Sequence, residues 1–244
     1  MMPALNSPLP AEPLLDVDHL SLSWPDGLKA LDDVCLRIQS GENVALIGAN
    51  GAGKTSLLLA LVGILESKKG ALSVAGTLLG KKTAAQIRRQ VGLVFQNPDD
   101  QLFMPRIYDD IAFGLRNANV AEEEIRVRVA AILTSLDIAH LKERSALKLS
   151  GGEKRMAAIA SVLVMDPSLV LYDEPTAFLD PKARRGLASV LRALPHAKLI
   201  ATHDLPFAED VCDRIILLHK GQIRADGIPA EILRDRELME SCGL

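Results

Sequence analysis

Short apolar segments alternate with longer amphipathic stretches along most of the chain, which predicts strands and helices in turn. Strands are predicted over residues 14–22, 34–38, 44–47, 71–74, 91–95, 169–172, 198–202 and 214–218. The segments 44–47 and 169–172 are apolar without interruption, which is typical of strands covered on both faces of a parallel sheet. Helices are predicted over 54–65, 181–193 and 205–211, so the pattern favours an α/β fold.

The strand pattern is interrupted in the middle of the chain. Helical periodicity dominates there, over residues 107–116, 121–136 and 152–165. We therefore predict a helical subdomain at 97–166, inserted into a core that is formed by 14–96 and 167–244. Residues 1–13 contain several prolines and few large apolar side chains, which predicts a flexible tail.

Composition and charge narrow the class of protein. The chain has 244 residues, of which 48% are hydrophobic and 24% charged, as in ordinary globular domains. A net charge of −3 argues against a strongly basic nucleic-acid binder. No apolar stretch approaches the ~20 residues of a membrane helix, and the N-terminus lacks the basic region of a signal peptide. The cysteines are odd in number and far apart, so a reducing, cytoplasmic compartment is expected.

A glycine-rich loop follows the predicted strand 44–47 and opens an apolar helix. It matches the pattern G-x-x-x-x-G-K-[ST] in every fixed position. Its backbone N–H groups and the helix N-terminus favour phosphate oxygens. Lys54 is expected to contact the β- and γ-phosphates of a nucleotide, and the Thr55 hydroxyl to bind Mg²⁺. We predict a nucleotide site formed by Gly48, Ala49, Asn50, Gly51, Ala52, Gly53, Lys54, Thr55 and Ser56.

Two carboxylates follow the second buried strand. Asp173 comes directly after the apolar run, where a phosphate-loop protein needs a carboxylate to hold Mg²⁺. Glu174 adds a second carboxylate toward the γ-phosphate and is suited to polarise an attacking water. Acidic turns are common at strand ends, so the presence of the phosphate loop decides the interpretation.

A second glycine turn lies before the helix predicted at 152–165. Ser150 and Glu153 have the spacing of a capping box. A capped helix start with Gly151 and Gly152 is also suited to bind an anion. Since one ATP pocket does not need two phosphate cradles, we predict that this turn serves a neighbouring copy of the chain.

Along the chain the phosphate loop comes first, then the glycine turn, then Asp173 and Glu174. In this order the motifs closely resemble those of the ATP-binding subunits of ABC transporters, and the resemblance covers nearly the whole chain. The Leu-Ser-Gly-Gly segment at 149–152 resembles the family signature. The resemblance implies that Gln96 binds Mg²⁺ and water, and that His203 holds the γ-phosphate and the water. It further implies that Trp24 stacks on adenine and that Asp180, which matches the D-loop of the family, belongs to the ATP site.

The resemblance also implies a fold and a mechanism. The fold is that of a P-loop NTPase, with a mainly parallel sheet, an antiparallel β region near the N-terminus and a helical subdomain. Two copies face head to tail, and each ATP lies between the phosphate loop of one copy and Ser150, Gly151 and Gly152 of the other. ATP closes this dimer, and hydrolysis, with Glu174 as the base, reopens it and powers a membrane partner.

The segment 91–103 resembles more narrowly the energy-coupling factor (ECF) branch of the family. That resemblance implies uptake of cobalt or nickel ions or of vitamins, a transmembrane coupling protein, a small substrate-capturing membrane protein, and a peripheral position on the cytoplasmic face of the membrane. The chain lacks the extended C-terminal region of longer ECF ATPases and in this resembles the cobalt and nickel systems more, so cobalt or nickel is the expected cargo. Asp99 and Asp100 are expected to belong to an acidic, glutamine-bearing lip that receives the coupling protein. Phe178 departs from the family, which usually has a small residue there.

Alternative interpretations remain open at this stage. They are a conventional ABC transporter, a vitamin ECF system, a soluble ABC ATPase of DNA repair or translation, and a regulatory nucleotide-binding module without turnover. A homodimer is plausible, and a heterodimer with a related ATPase is the alternative. The remaining histidines and the cysteines are predicted to be structural: His19, His140, His196, His219, Cys35, Cys212 and Cys242.

Overall fold

The computed structural model describes residues 12–24 and 26–244, so most of the tail predicted over 1–13 lies outside the described residues. The strands are β1 (Leu15–Ser23), β2 (Lys29–Ile38), β3 (Asn43–Ile47), β4 (Lys69–Val74), β5 (Thr77–Leu78), β6 (Val91–Val94), β7 (Leu169–Asp173), β8 (Ala197–Thr202), β9 (Arg214–His219) and β10 (Gln222–Gly227). The helices are α1 (Lys54–Leu61), α2 (Ala84–Gln90), α3 (Ile107–Asn117), α4 (Glu122–Ser135), α5 (Gly151–Leu163), α6 (Pro181–Ala193), α7 (Leu205–Val211), α8 (Pro229–Ile232) and α9 (Arg236–Ser241).

The larger sheet has the strand order β10-β9-β3-β8-β7-β6. Its strands run parallel except for β10, which pairs antiparallel with β9 at one edge. Along β3, Ala45 and Ile47 pack into the apolar core on one face, and Val44 and Leu46 pack into the core on the other. Both faces are therefore covered, as the unbroken apolar runs predicted.

The smaller sheet is antiparallel and has the order β2-β1-β4-β5. Its apolar face shares a core with α1 and with one face of the larger sheet. Between β6 and β7 the described chain is helical, and α3, α4 and α5 pack together over the opposite face of the larger sheet. The predicted fold class, a parallel α/β core with an N-terminal antiparallel region and a helical part, is confirmed.

Several elements differ from the sequence prediction. The first helix ends at Leu61 rather than at residue 65, because Gly63 takes a left-handed conformation (φ 68°) that stops it. β2 begins at Lys29, ahead of the predicted start at residue 34. The elements α2, α8, α9, β5 and β10 were not predicted, since they are short and expose much of their surface. No helix within the described ranges has the length and apolar character needed to cross a lipid bilayer.

Candidate functional site

A cleft of about 390 Å³ opens at the carboxyl ends of the parallel strands. The carboxyl edge is where ligands bind in open α/β sheets, since the loops that follow neighbouring strands converge there. β3, β8 and β7 are adjacent, so the segments that follow them meet in one place. The predicted site residues that line the cleft are Trp24, Asn50, Gly51, Ala52, Gly53, Lys54, Thr55, Ser56, Gln96, Asp173, Glu174 and His203.

The glycine-rich loop between β3 and α1 is shaped by close backbone approaches. A Cβ atom at Gly48 would lie 2.3 Å from the Leu218 carbonyl oxygen, and one at Gly53 would lie 2.5 Å from that of Ala30. Gly53 also has a φ of 108°, which side-chain-bearing residues rarely adopt. Glycine at these positions therefore allows the loop to curl tightly at the start of α1.

The cation of this loop is almost fully buried. Lys54 is 7% exposed, and its Nζ donates to the carbonyl oxygens of Gly48 at 2.6 Å and Ala49 at 3.3 Å. Gly48 and Ala49 thus contribute to the cleft by orienting the Lys54 ammonium, and they do not line it themselves. A buried ammonium beside converging N–H groups is a strong site for a phosphate anion.

A hydroxyl and a carboxylate meet across the strand ends. Thr55 Oγ1 donates to Asp173 Oδ2 at 2.8 Å. Asp173 is 6% exposed, and its Oδ1 has no hydrogen-bond partner among the described residues. Burial raises the pKa of the Asp173 carboxyl. The hydrogen bond from Thr55 and the nearby Lys54 ammonium lower this pKa, but they offset only part of the increase. An under-compensated carboxylate beside a hydroxyl is an oxygen donor set that fits Mg²⁺.

The second carboxylate is fixed from several sides. Glu174 has a φ of 43°, and its N–H donates to the Ala201 carbonyl at 2.8 Å, so the turn after β7 is anchored to β8. Its Oε2 lies 2.9 Å from His203 Nδ1 and accepts the His203 N–H at 3.2 Å. Its Oε1 lies 3.7 Å from Lys54 Nζ. The carboxylate is therefore held at the cleft wall in an orientation that can accept a proton from a water.

Besides Gly48 and Ala49, four predicted residues do not line the cleft of their own chain. They are Ser150, Gly151, Gly152 and Asp180. The capping box is confirmed, because Ser150 Oγ accepts the Glu153 N–H and the Glu153 carboxylate accepts the Ser150 N–H. Asp180 caps α6 by accepting the N–H groups of Lys182 and Ala183, each at 2.8 Å. The predicted part of these four residues in binding ATP stays a prediction, for Ser150, Gly151 and Gly152 on a second copy of the chain.

A buried arginine was not predicted as a site residue. Arg155 on α5 is 1% exposed, and it donates to the carbonyls of Phe95 at 2.7 Å and Gln96 at 2.6 Å. Burial lowers the pKa of its guanidinium to about 10. Arg155 therefore ties the signature helix to the backbone that carries Gln96. Arg155 follows Glu153 and Lys154 at the charged start of α5, so the sequence offers no signal that separates it from an exposed arginine.

The expected lip needs one correction. Gln101 points inward, and its Nε2 donates to the Ala158 carbonyl at 2.7 Å and to Ser161 Oγ at 2.9 Å. Its Oε1 accepts the Phe95 N–H at 3.1 Å. The amide thus has better partners inside the fold than at its surface, and it does not contribute to the lip. Asp100 remains exposed, whereas Asp99 forms a 2.6 Å ion pair with Lys154.

The sequence matches the family described as "ABC transporter" over residues 31–177, which is more than half of the chain. A protein of Streptomyces avermitilis, named for an inferred ABC transporter ATP-binding role, is 46% identical, covering 97% of this chain and 93% of the relative. The energy-coupling factor transporter ATP-binding protein EcfA of Carboxydothermus hydrogenoformans is 40% identical, covering 94% of this chain and 86% of the relative.

Solved structures show the same architecture. CbiO1 of Clostridium perfringens, described as part of the ABC transporter complex cbiONQ, has a TM-score of 0.83 at 35% identity, with 94% of each chain covered. The ATP-binding cassette MJ0796, solved as a dimer bound to ADP and phosphate, has a TM-score of 0.79 at 24% identity, covering 88% of this chain and 98% of the other. This second likeness concerns the fold alone.

Proposed function

The chain belongs to the ABC transporter family as an ATP-binding subunit, and from this premise we propose that it powers an ECF-type membrane uptake transporter for cobalt or nickel ions. It has the ABC ATPase fold and is an ATPase. The observation that carries the ATPase part of the proposal is the cleft itself, which Lys54, Thr55, Asp173 and Glu174 line together. The ECF assignment is supported by the relatives named EcfA and by the likeness to CbiO1.

Each residue of the cleft has a task in ATP hydrolysis. Lys54 and the loop N–H groups bind the phosphates and fix their position. Thr55 and Asp173 are the residues that would hold Mg²⁺, which supplies charge neutralisation for phosphoryl transfer. Glu174 takes the proton of the attacking water, and His203 orients the Glu174 carboxylate through its 2.9 Å contact. Trp24, 37% exposed at the cleft edge, offers a flat surface for adenine.

We place the second glycine turn on a second copy of the chain. Ser150, Gly151 and Gly152 stand at the capped N-terminus of α5, away from the cleft of their own chain. A head-to-tail pair would bring this turn onto the γ-phosphate bound by the other copy. ATP would then hold the pair closed, because only in the closed pair does one ATP molecule contact both copies of the chain.

The surface proposed for the coupling protein lies on the segment after Gln96. A short 3₁₀ helix, Pro98–Asp100, presents the carboxylates of Asp99 and Asp100. Beside them Phe103, 61% exposed, packs edge-on against Phe113 with ring centroids 5.1 Å apart. Acidic groups next to exposed aromatic rings suit a partner helix that combines arginine with apolar side chains.

Purification of the chain from its own membranes in mild detergent tests the proposal. We expect it to bring along one coupling-type membrane protein and one small capture protein, identified by mass spectrometry. Cobalt or nickel uptake should be lost when the gene of this chain is deleted. Recovery of two ordinary permease subunits, or of no membrane protein, would overturn the ECF assignment and leave the ATPase assignment in place.

Charge reversal tests the proposed lip. The double variant Asp99→Lys, Asp100→Lys should reduce recovery of the membrane partner about tenfold or more, since like charges across an interface cost several kcal/mol. ATP binding should be unchanged, because neither residue lines the cleft. The matched control is Glu237→Lys with Glu240→Lys on α9, the same change of charge at another surface. Equal recovery of the partner with both double variants would contradict the role of the lip.

A further inference from the structure

Two bulges lie side by side in the smaller sheet. From the pair Val17–Leu36 to the pair Leu20–Val34, β1 uses an additional residue; from Leu20–Val34 to Leu22–Leu31, β2 does. The additional residues carry left-handed backbones, with φ 51° at His19 and φ 59° at Asp33. Such bulges change the direction in which side chains point, and they are specific features of a fold rather than defects.

The bulge in β1 turns consecutive polar side chains to the same face. Asp18 and His19 are both exposed, whereas strict alternation would bury one of them. Cys35 on β2 is exposed on this face too, and the His19 N–H donates to its Sγ at 3.1 Å. One ligand atom each from Asp18, His19 and Cys35 lies within 4.8 Å of the others.

The neighbouring bulge supplies a carboxylate behind the imidazole. Asp33 Oδ1 lies 2.7 Å from His19 Nδ1. This contact keeps a proton on Nδ1 and leaves Nε2 to act as a ligand, 3.8 Å from Asp18 Oδ1. A carboxylate on the far ring nitrogen is the usual support of a metal-binding histidine.

We propose that Asp18, His19 and Cys35 bind a transition-metal dication of the Zn²⁺ or Co²⁺ type, with Asp33 positioning His19. Bond lengths of about 2.0–2.3 Å in a tetrahedral site place the ligand atoms roughly 3.3–3.8 Å apart. The observed spread closes to these distances by side-chain rotation at an exposed surface, and water completes the coordination. Thiolate and imidazole select such ions over Mg²⁺ or Ca²⁺, so the site is chemically distinct from Thr55 and Asp173.

A surface ion pair between a protonated His19 and Asp33 accounts for the 2.7 Å contact without any metal. The two interpretations differ at Cys35, because an ion pair leaves the thiol free and a metal occupies it. Cys35 is the exposed cysteine of the chain, and Cys212 and Cys242 are buried. A thiol reagent applied to the folded, tag-free protein therefore reports on Cys35.

Protection of the thiol is the decisive measurement. One equivalent of Zn²⁺ should slow labelling of Cys35 about tenfold or more, and millimolar Mg²⁺ should not. The variants His19→Ala and Asp18→Asn should lose the protection, whereas His140→Ala, which changes another exposed histidine, should keep it. Unprotected labelling in the parent protein, or equal protection in His19→Ala, would overturn the proposal.

Cobalt provides an independent readout. Addition of Co²⁺ should produce the absorption of thiolate-bound cobalt at one ion per chain, and Cys35→Ser should abolish it. Asp33→Asn should weaken Co²⁺ affinity about 10- to 100-fold, as for other supporting carboxylates. Circular dichroism checks that each variant is folded. Because none of these residues lines the nucleotide cleft, ATP binding should be unaffected in all of them, and failure here leaves the proposed transport function untouched.

Discussion

Replacement of Glu174 by glutamine is expected to reduce ATP turnover by about 10²- to 10⁴-fold, the usual contribution of a general base. The amide has nearly the same size, so the buried position between Lys54 and His203 is preserved. It cannot accept a proton from water, and the step that it serves is lost. ATP should still bind, because the phosphate loop and the residues that would hold Mg²⁺ are unchanged.

Phosphate release and nucleotide affinity are to be measured separately on this variant. With hydrolysis blocked, ATP should also shift the chain toward a dimer in sedimentation, whereas ADP should not. Glu66→Gln is the matched control, since Glu66 is a largely exposed glutamate that does not line the cleft. Turnover like that of the parent protein would refute the assignment of Glu174 as the base.

Replacement of Lys54 by alanine is expected to weaken ATP binding about 10- to 100-fold. The estimate follows from about 1.5–3 kcal/mol for a hydrogen bond that involves a charged group. Lys54 is 7% exposed and is already oriented by the carbonyls of Gly48 and Ala49, so little conformational freedom is lost on binding. The variant removes both that preorganised cation and the positive neighbour of Glu174.

Titration calorimetry with ATP measures this effect, and thermal unfolding without nucleotide shows whether the variant is folded. Lys81→Ala serves as the control, because Lys81 is an exposed lysine whose contact is with Glu66 at 3.8 Å. An unchanged dissociation constant in a folded Lys54 variant would show that the phosphate cradle has been assigned wrongly.

The core of the site could be predicted because its signals are local in sequence. The phosphate loop and Asp173-Glu174 each follow a buried strand, and the parallel sheet brings the ends of such strands to one edge. The spacing within each motif specifies the chemistry before any contact is known. The strong apolar runs likewise predicted the positions of β3, β7, β8 and β9 in the chain. Their apolar residues are buried whichever side chains pack against them, so the signal is contained in the strand itself.

Other features depend on partners that are distant in the chain. The hydrogen bonds that Arg155 and the Gln101 Nε2 donate span between 57 and 60 residues, and no spacing rule indicates them. The cluster of Asp18, His19 and Cys35 exists only because β1 and β2 shift register at adjacent positions. The sequence alone does not reveal such register shifts, and it predicted His19 and Cys35 to be structural. Whether they bind a metal is the question that the labelling experiment decides.

The arginine of α5 has a mechanical consequence. Its guanidinium is buried and donates to the consecutive carbonyls of Phe95 and Gln96, so it connects α5 directly to the backbone at Gln96. Within the proposed head-to-tail pair, Gln96 faces the ATP of its own chain, and Ser150 at the tip of α5 faces that of the other. A displacement of these connected segments by the membrane helices would reach both ATP molecules at the same time. The two sites would then hydrolyse ATP together without a separate signal between them.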